Sequence, residues 1–183
     1  MHASNTWGKR AGIIRLKLDR VKPETRQGYI LLCVALWSTL AFLVAQHFVV
    51  TTVIVQGKSM WPTLKPGDCR VVNCVIPHVR GYHRGDIVVI RDSARHEFIV
   101  KRIVALPGEH VQLRGGRVYV NGDPLPESYL ESRTLTYSRQ LGDHPITIGA
   151  KSYFVMGDNR AESEDSRFFG DIDVSALVGV VRP

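Results

Sequence analysis

From Tyr29 to Phe48 the chain runs for twenty residues, YILLCVALWSTLAFLVAQHF, without a Lys, Arg, Asp or Glu. As a helix rising about 1.5 Å per residue, such a run is about 30 Å long, the thickness of bilayer hydrocarbon. A core helix of a soluble domain usually keeps one polar face, and this run shows none. A cleaved secretory signal has a shorter apolar core and a small-x-small exit, whereas Ala45-Gln46-His47 is a weak one. The run therefore predicts a single transmembrane helix over 29–48. It separates a tail, 1–28, from an outer domain, 49–183.

Charge placement gives the orientation. Residues 1–28 hold seven Lys and Arg against Asp19 and Glu24, so +5 of the chain's formal +7 sits on this tail. A nucleic-acid binder carries its basic surface on the folded domain, so nucleic acid is set aside as a partner. The positive-inside rule puts the N-terminus in the cytoplasm and residues 49–183 on the far side. A cell membrane (plasma or inner) suits this single-pass arrangement, with the mitochondrial inner membrane as the alternative. Within the tail, RAGIIRLKLDRVK (10–22) reads either as an amphipathic stretch on the inner leaflet or as a solvated tail.

Beyond the run the sequence is rich in short β-branched stretches. VVTTVIVQ (49–56), CRVVNCVI (69–76), DIVVIRD (86–92) and EFIVKRIVAL (97–106) are expected strands. HVQLRGGRVYVNG (110–122) reads as a hairpin turning at Gly115-Gly116, with Asn121-Gly122 as the next turn. YFVMG (153–157) and ALVGVV (176–181) complete the set. With no long amphipathic helix after residue 50, the fold class is mainly β with antiparallel sheets. Residues 110–150 form the hairpin and a small inserted lobe, since 123–150 is polar and holds Pro124, Pro126 and Pro145.

Cys69 and Cys74 flank RVVN at a spacing that points them to opposite faces of a regular strand, so a disulfide there requires a bulge or bend. No C-x-x-C and no H-E-x-x-H occurs, so neither metal nor cofactor is expected.

Three segments carry the chemistry. In GKSMWPTLKPGD (57–68), Ser59 sits between Gly57 and Pro62, residue types that place a hydroxyl on a sharp, exposed turn. In FIVKRIVALPGE (98–109), Lys101 and Arg102 interrupt an apolar strand. Alternation puts Ile99, Lys101 and Ile103 on one face and Val100, Arg102 and Val104 on the other, so one cation must face a crowded surface. Burial lowers a lysine's pKa, and a neutral lysine accepts a proton from a serine hydroxyl. In MGDNRAESEDSRFFGD (156–171), charge density before Phe168-Phe169-Gly170 predicts an internally bonded loop. Asp165 and Arg167 are expected to pair there, with Asp158 as further support. Ser163 is expected to orient the amine of Lys101.

The segments G-x-S-M-x-P-T-L, R-G-D-I-V-V (84–89), K-R-I-V-x-L-P-G and G-D-N-R-x-x-S-x-D-S-R-x-x-G follow one N-terminal apolar run in that order. This resembles the type I signal peptidases, a family that includes the mitochondrial inner-membrane peptidases. The resemblance implies a catalytic β domain of the signal-peptidase and repressor-protease type. It also implies a Ser/Lys dyad at Ser59 and Lys101, with Ser163 as the lysine's partner and Asp165–Arg167 as a structural ion pair. It implies preprotein signal peptides as substrates, cut after small residues at the first and third positions before the bond. The bilayer and the secretion machinery are the implied partners.

Residues 52–58 and 98–100 are the expected substrate edges, with Val55, Gln56, Met60 and Ile99 as binding residues. Some members place a serine where this chain has Gly57. The oxyanion hole here must use the Ser59 backbone N–H and another donor. Ser59 lies only eleven positions beyond Phe48, a span of at most about 36 Å, so the nucleophile is tethered near the membrane. A self-cleaving Ser/Lys domain is one alternative, but it is ordinarily soluble and joined to a DNA-binding part. An inactive membrane-anchored β domain is the other.

Overall fold

The computed structural model describes residues 23–93, 95–138, 140–141 and 144–182. The basic tail 1–22, with the expected amphipathic stretch 10–22, lies outside the described residues. The chain divides into two compact units, one ending at Phe42 and the other beginning at Leu43.

The apolar run lies in helix α1, Pro23–Val49. Proline suits a first turn because its missing N–H has no intrahelical partner there. The helix thus starts six residues before the apolar run does. Gln27–Val44 is long and apolar enough to cross a membrane, and none of it is buried by protein. Trp37 is 71% exposed, and Leu31 and Phe42 are similarly bare. A helix apolar all round and left uncovered has the length and composition of a membrane span.

From Leu43 onward the architecture is antiparallel β, as the strand-rich sequence predicts. Seven strands are β1 (Val50–Ile54), β2 (Cys69–Asn73), β3 (Ile87–Asp92), β4 (Glu97–Ala105), β9 (Ser152–Met156), β10 (Ile172–Asp173) and β11 (Leu177–Val181). They form one sheet in the order β1-β2-β11-β3-β4-β9-β10. A second sheet, ordered β7-β6-β5-β8, takes β5 (His110–Arg114), β6 (Arg117–Val120), β7 (Asp123–Pro124) and β8 (Ile146–Thr147). The β5–β6 turn uses Gly115 and Gly116 at φ 58° and 75°, the left-handed pair that a tight hairpin requires. The segment 123–150, read as a loop or small lobe, contributes the short strands β7 and β8.

The stretch 69–76 was expected to be one strand, and the structure divides it. Asn73 Oδ1 accepts from the N–H groups of Val75 and Ile76 at 3.0 and 2.7 Å, an Asx turn that ends β2. A short helix α2, Ile76–Arg80, follows. That bend takes Cys74 out of the strand. Cys69 is exposed, Cys74 is half-buried, and both are free thiols.

Strand β4 organises the interior. It pairs with β3 along Glu97–Arg102 and with β9 only from Arg102 onward. From Arg102 onward it is flanked by a strand on each edge, and Lys101, Arg102, Ile103, Val104 and Ala105 are all buried. The expectation that one of the two cations faces a crowded surface is corrected: both do.

Candidate active site

The turn carrying Ser59 is closed from below. Val55 N–H donates to Asp68 O at 2.9 Å and Gly67 N–H to Val55 O at 2.7 Å, so 55–68 is a loop with fixed ends. Met60 and Leu64 are fully buried, packed with Val55, Val72, Ile87, Val89 and Val181. Their burial anchors the turn and leaves Ser59 half-exposed above it. No hydrogen bond engages the Ser59 N–H among the described residues, and nothing lies within 4 Å of where a side chain would sit on Gly57.

A groove of about 490 Å³ runs beside this turn. Val55, Gln56, Gly57, Ser59, Met60, Ile99 and Lys101 line it together, though more than forty positions separate Ser59 from Lys101 in the chain. One wall is the extension of β1, the edge strand of the large sheet. The other is the outer half of β4, where β3 covers one edge and β9 has not yet joined the other. Both walls thus offer unpaired backbone groups.

Lys101 is 4% exposed. Burial pushes its pKa below the ordinary lysine value, Asp165 and Glu164 pull it part of the way back, and Arg167 lowers it further. A lysine whose pKa is lowered gives up its proton more readily, and this one lines the groove that exposes Ser59.

The charged loop of the third segment stands behind the groove. Asp165 and Arg167 are paired twice, Nε to Oδ1 at 2.8 Å and an amino group to Oδ2 at 2.9 Å, with both residues buried. Asp165 also accepts from Gly157 N–H at 2.9 Å and caps the short helix α3, Ser166–Phe169. Ser166 Oγ accepts from Val155 N–H at 3.0 Å. These bonds sew the loop to the end of β9. Asn159 then reaches forward: its N–H donates to Ser59 O at 2.9 Å and its side chain to Lys58 O at 3.2 Å.

Gly157 is the contact point. A Cβ there would lie 2.1 Å from Ser163 Oγ and 2.4 Å from Ser59 O, so only glycine lets the two serines approach. Ser163 Oγ is buried and has no hydrogen-bond partner. The expected bond from Ser163 to the Lys101 amine is therefore not formed in this structure, and the hydroxyl is left with unused capacity beside the site.

Asp158 supports the site through a residue given no role from the sequence. Arg102 donates to both its oxygens, at 2.8 and 2.6 Å, and also to Gly85 O at 2.9 Å. The guanidinium lies 4.0 Å from the Tyr129 ring centroid. Thr63, four residues after Ser59, donates to the same carboxylate at 2.5 Å. Arg160 is a second such residue. It bonds Gly157 O at 3.1 Å, Thr136 Oγ1 at 2.6 Å and Glu127, tying the loop to the inserted segment. The sequence signal was present, since a buried carboxylate needs a buried cation, but the partner lay 56 positions away. Arg102→Met is expected to destabilise the chain by about 3–5 kcal/mol, because it strands the buried Asp158 charge. Denaturant unfolding in detergent would measure it, and pairing the change with Asp158→Leu should recover much of the loss.

The family model described as signal peptidase, peptidase S26, matches residues 27–183. A signal peptidase I from Bacillus amyloliquefaciens is 36% identical over 147 residues, covering 76% of each chain. A signal peptidase I P from Bacillus subtilis subsp. natto is 39% identical over 147 residues, covering 77% of this chain and 79% of that one. A crystal structure of a signal peptidase I from Enterococcus faecalis V583 superposes with a TM-score of 0.48 at 32% identity, covering 55% of this chain and 97% of that one. The match takes in the serine turn, the buried lysine, the loop behind them and most of the apolar helix, and the chain belongs to the signal peptidase family, peptidase S26.

Proposed function

We propose that this chain is a membrane-anchored serine endopeptidase that removes N-terminal signal peptides from preproteins, with Ser59 as nucleophile and Lys101 as general base. The observation that carries it is the burial of Lys101 in the groove that exposes Ser59.

Neutral Lys101 takes the Ser59 Oγ proton as that oxygen attacks the scissile carbonyl. The Ser59 N–H, free of other bonds, faces the developing oxyanion. The lysine ammonium returns the proton to the leaving amine, and the mature protein departs from an acyl-enzyme. Lys101 then deprotonates the water that releases the signal peptide. This is triad logic run by a lysine in place of histidine. Ser163 steadies the amine through its unpartnered hydroxyl as the groove fills. Asp165–Arg167 and Asp158 hold the loop that places it.

The substrate lies extended between 53–57 and 97–101, adding a strand to edges that the fold leaves open. Val55, Met60 and Ile99 narrow the groove toward small side chains at the first and third positions before the cut. Helix α1 anchors the chain in a cell membrane with the tail cytoplasmic and the groove outside.

Inverted membrane vesicles bearing the full chain test both parts. Added preprotein should remain uncut, and the β domain resist added protease, until detergent opens the vesicles. Cleavage without detergent would overturn the orientation, and cleavage undiminished in Ser59→Ala would overturn the dyad.

A further inference from the structure

The next residues of the Ser59 turn, Trp61 and Pro62, line a second cavity, of about 260 Å³, which shares no lining residue with the groove. Trp61 and Pro62 form one wall and Asn159–Ala161 the back. Glu131, Thr134 and Leu135 of the inserted segment close the rim. Trp61 is 41% exposed, with the Lys65 amine 5.5 Å from its ring centroid, and Leu135 is 55% exposed, so both present apolar surface to an occupant.

We propose that this cavity is the leaving-side subsite. It would hold the side chain of the second or third residue of the mature protein and favour a lysine or arginine there. The inference rests on the Ser59/Lys101 reading and names a determinant of specificity within it.

The path of the substrate supports the assignment. The signal-peptide side lies in the groove, so the chain beyond the scissile bond must leave past the residues that follow Ser59. Trp61 is two positions on, a distance of at most about 7 Å. An extended substrate advances about 3.3 Å per residue, so its second or third residue after the cut reaches the cavity. Asn159 joins the two regions: its N–H holds the Ser59 carbonyl while the residue lines the cavity.

Charge supplies the preference. Asp158 is neutralised by Arg102, and Arg160 by Glu127. Glu131 is exposed and makes no ion pair among the described residues. It is the uncompensated charge in the lining. A lysine or arginine would lay its stem along Trp61 and Leu135 and carry its cation to Glu131.

The test is cleavage of preprotein peptides that differ only at the second and third positions after the cut, carrying Lys, Gly or Glu. With the full chain in detergent, kcat/KM should be about two- to five-fold higher for Lys than for Glu at one of these positions, the range of an exposed ion pair. Glu131→Gln should bring that ratio close to one, and Glu131→Lys should invert it. Salt should shrink the wild-type ratio. A wild-type ratio near one, or a ratio unchanged in both variants, overturns the subsite while leaving the dyad intact. Failure to cleave even the Gly peptide overturns the dyad reading and the subsite with it.

Discussion

Ser59→Ala and Lys101→Ala are each expected to lower kcat on a preprotein roughly 10⁵- to 10⁶-fold, with the double variant no worse than either single one. In the proposed mechanism the two groups act on one proton, so removing either leaves the other without a task. Whatever catalysis survives in all three variants comes from the Ser59 N–H and from substrate alignment alone. The lysine adds a pH signature. In that mechanism activity requires the neutral amine, so kcat/KM should rise with pH through the folded-state pKa of Lys101, and that rise should fall below the ordinary lysine value of 10.5. Glu164→Gln removes a carboxylate that holds the proton on, so the rise should move to lower pH. A rise centred at or above 10.5 would remove Lys101 from the base role.

Stability should rise with pH as activity does. Below the ordinary lysine pKa the unfolded chain binds a proton that the folded chain resists, so burial of Lys101 costs stability there. The cost is full below the folded pKa and gone once pH passes the unfolded value. Lys101→Met should therefore stabilise the chain at neutral pH while abolishing cleavage, a combination that a purely structural lysine would not give.

Gly157→Ala is expected to remove nearly all activity and to cost about 3 kcal/mol or more of stability. The new methyl would lie 2.1 Å from Ser163 Oγ, 2.5 Å from Ser163 Cβ and 2.4 Å from Ser59 O, so turning the Ser163 hydroxyl aside does not relieve the clash and backbone must shift. Ser59 O is held by Asn159 N–H, and Ser163 O by Arg167, which is itself pinned by Asp165. The loss should thus appear in kcat as well as in unfolding by denaturant. Full activity in Gly157→Ala would mean that the approach of the two serines does not matter. As a comparison, Gly57→Ala meets open space and should fold normally.

Much of the fold was legible because its signals are local. An uncharged run of bilayer length, β-branched stretches and the Gly115–Gly116 turn each report on a few neighbouring residues. The reading of 69–76 as one strand failed where a side chain, Asn73, competed for backbone donors more strongly than β propensity resisted. The very short strands β7, β8 and β10 were missed because two residues carry no periodicity.

The site was legible as a set of residue types and not as an arrangement. The sequence by itself determined that Ser59 lies on a turn, that Lys101 interrupts an apolar strand and that a charged loop follows. Ordered together after an apolar helix, these identify the family. Only the tertiary structure decided that both Lys101 and Arg102 are buried, because burial is set by segments far apart in the chain. It also decided that Arg102 belongs to Asp158, that Gly157 is the contact between the serines, and that a second cavity opens beyond Ser59. The physical reason is range. Turn and strand preferences act between neighbours in the chain, whereas burial, and with it the basicity of Lys101, is set by segments that meet only when the sheet has formed.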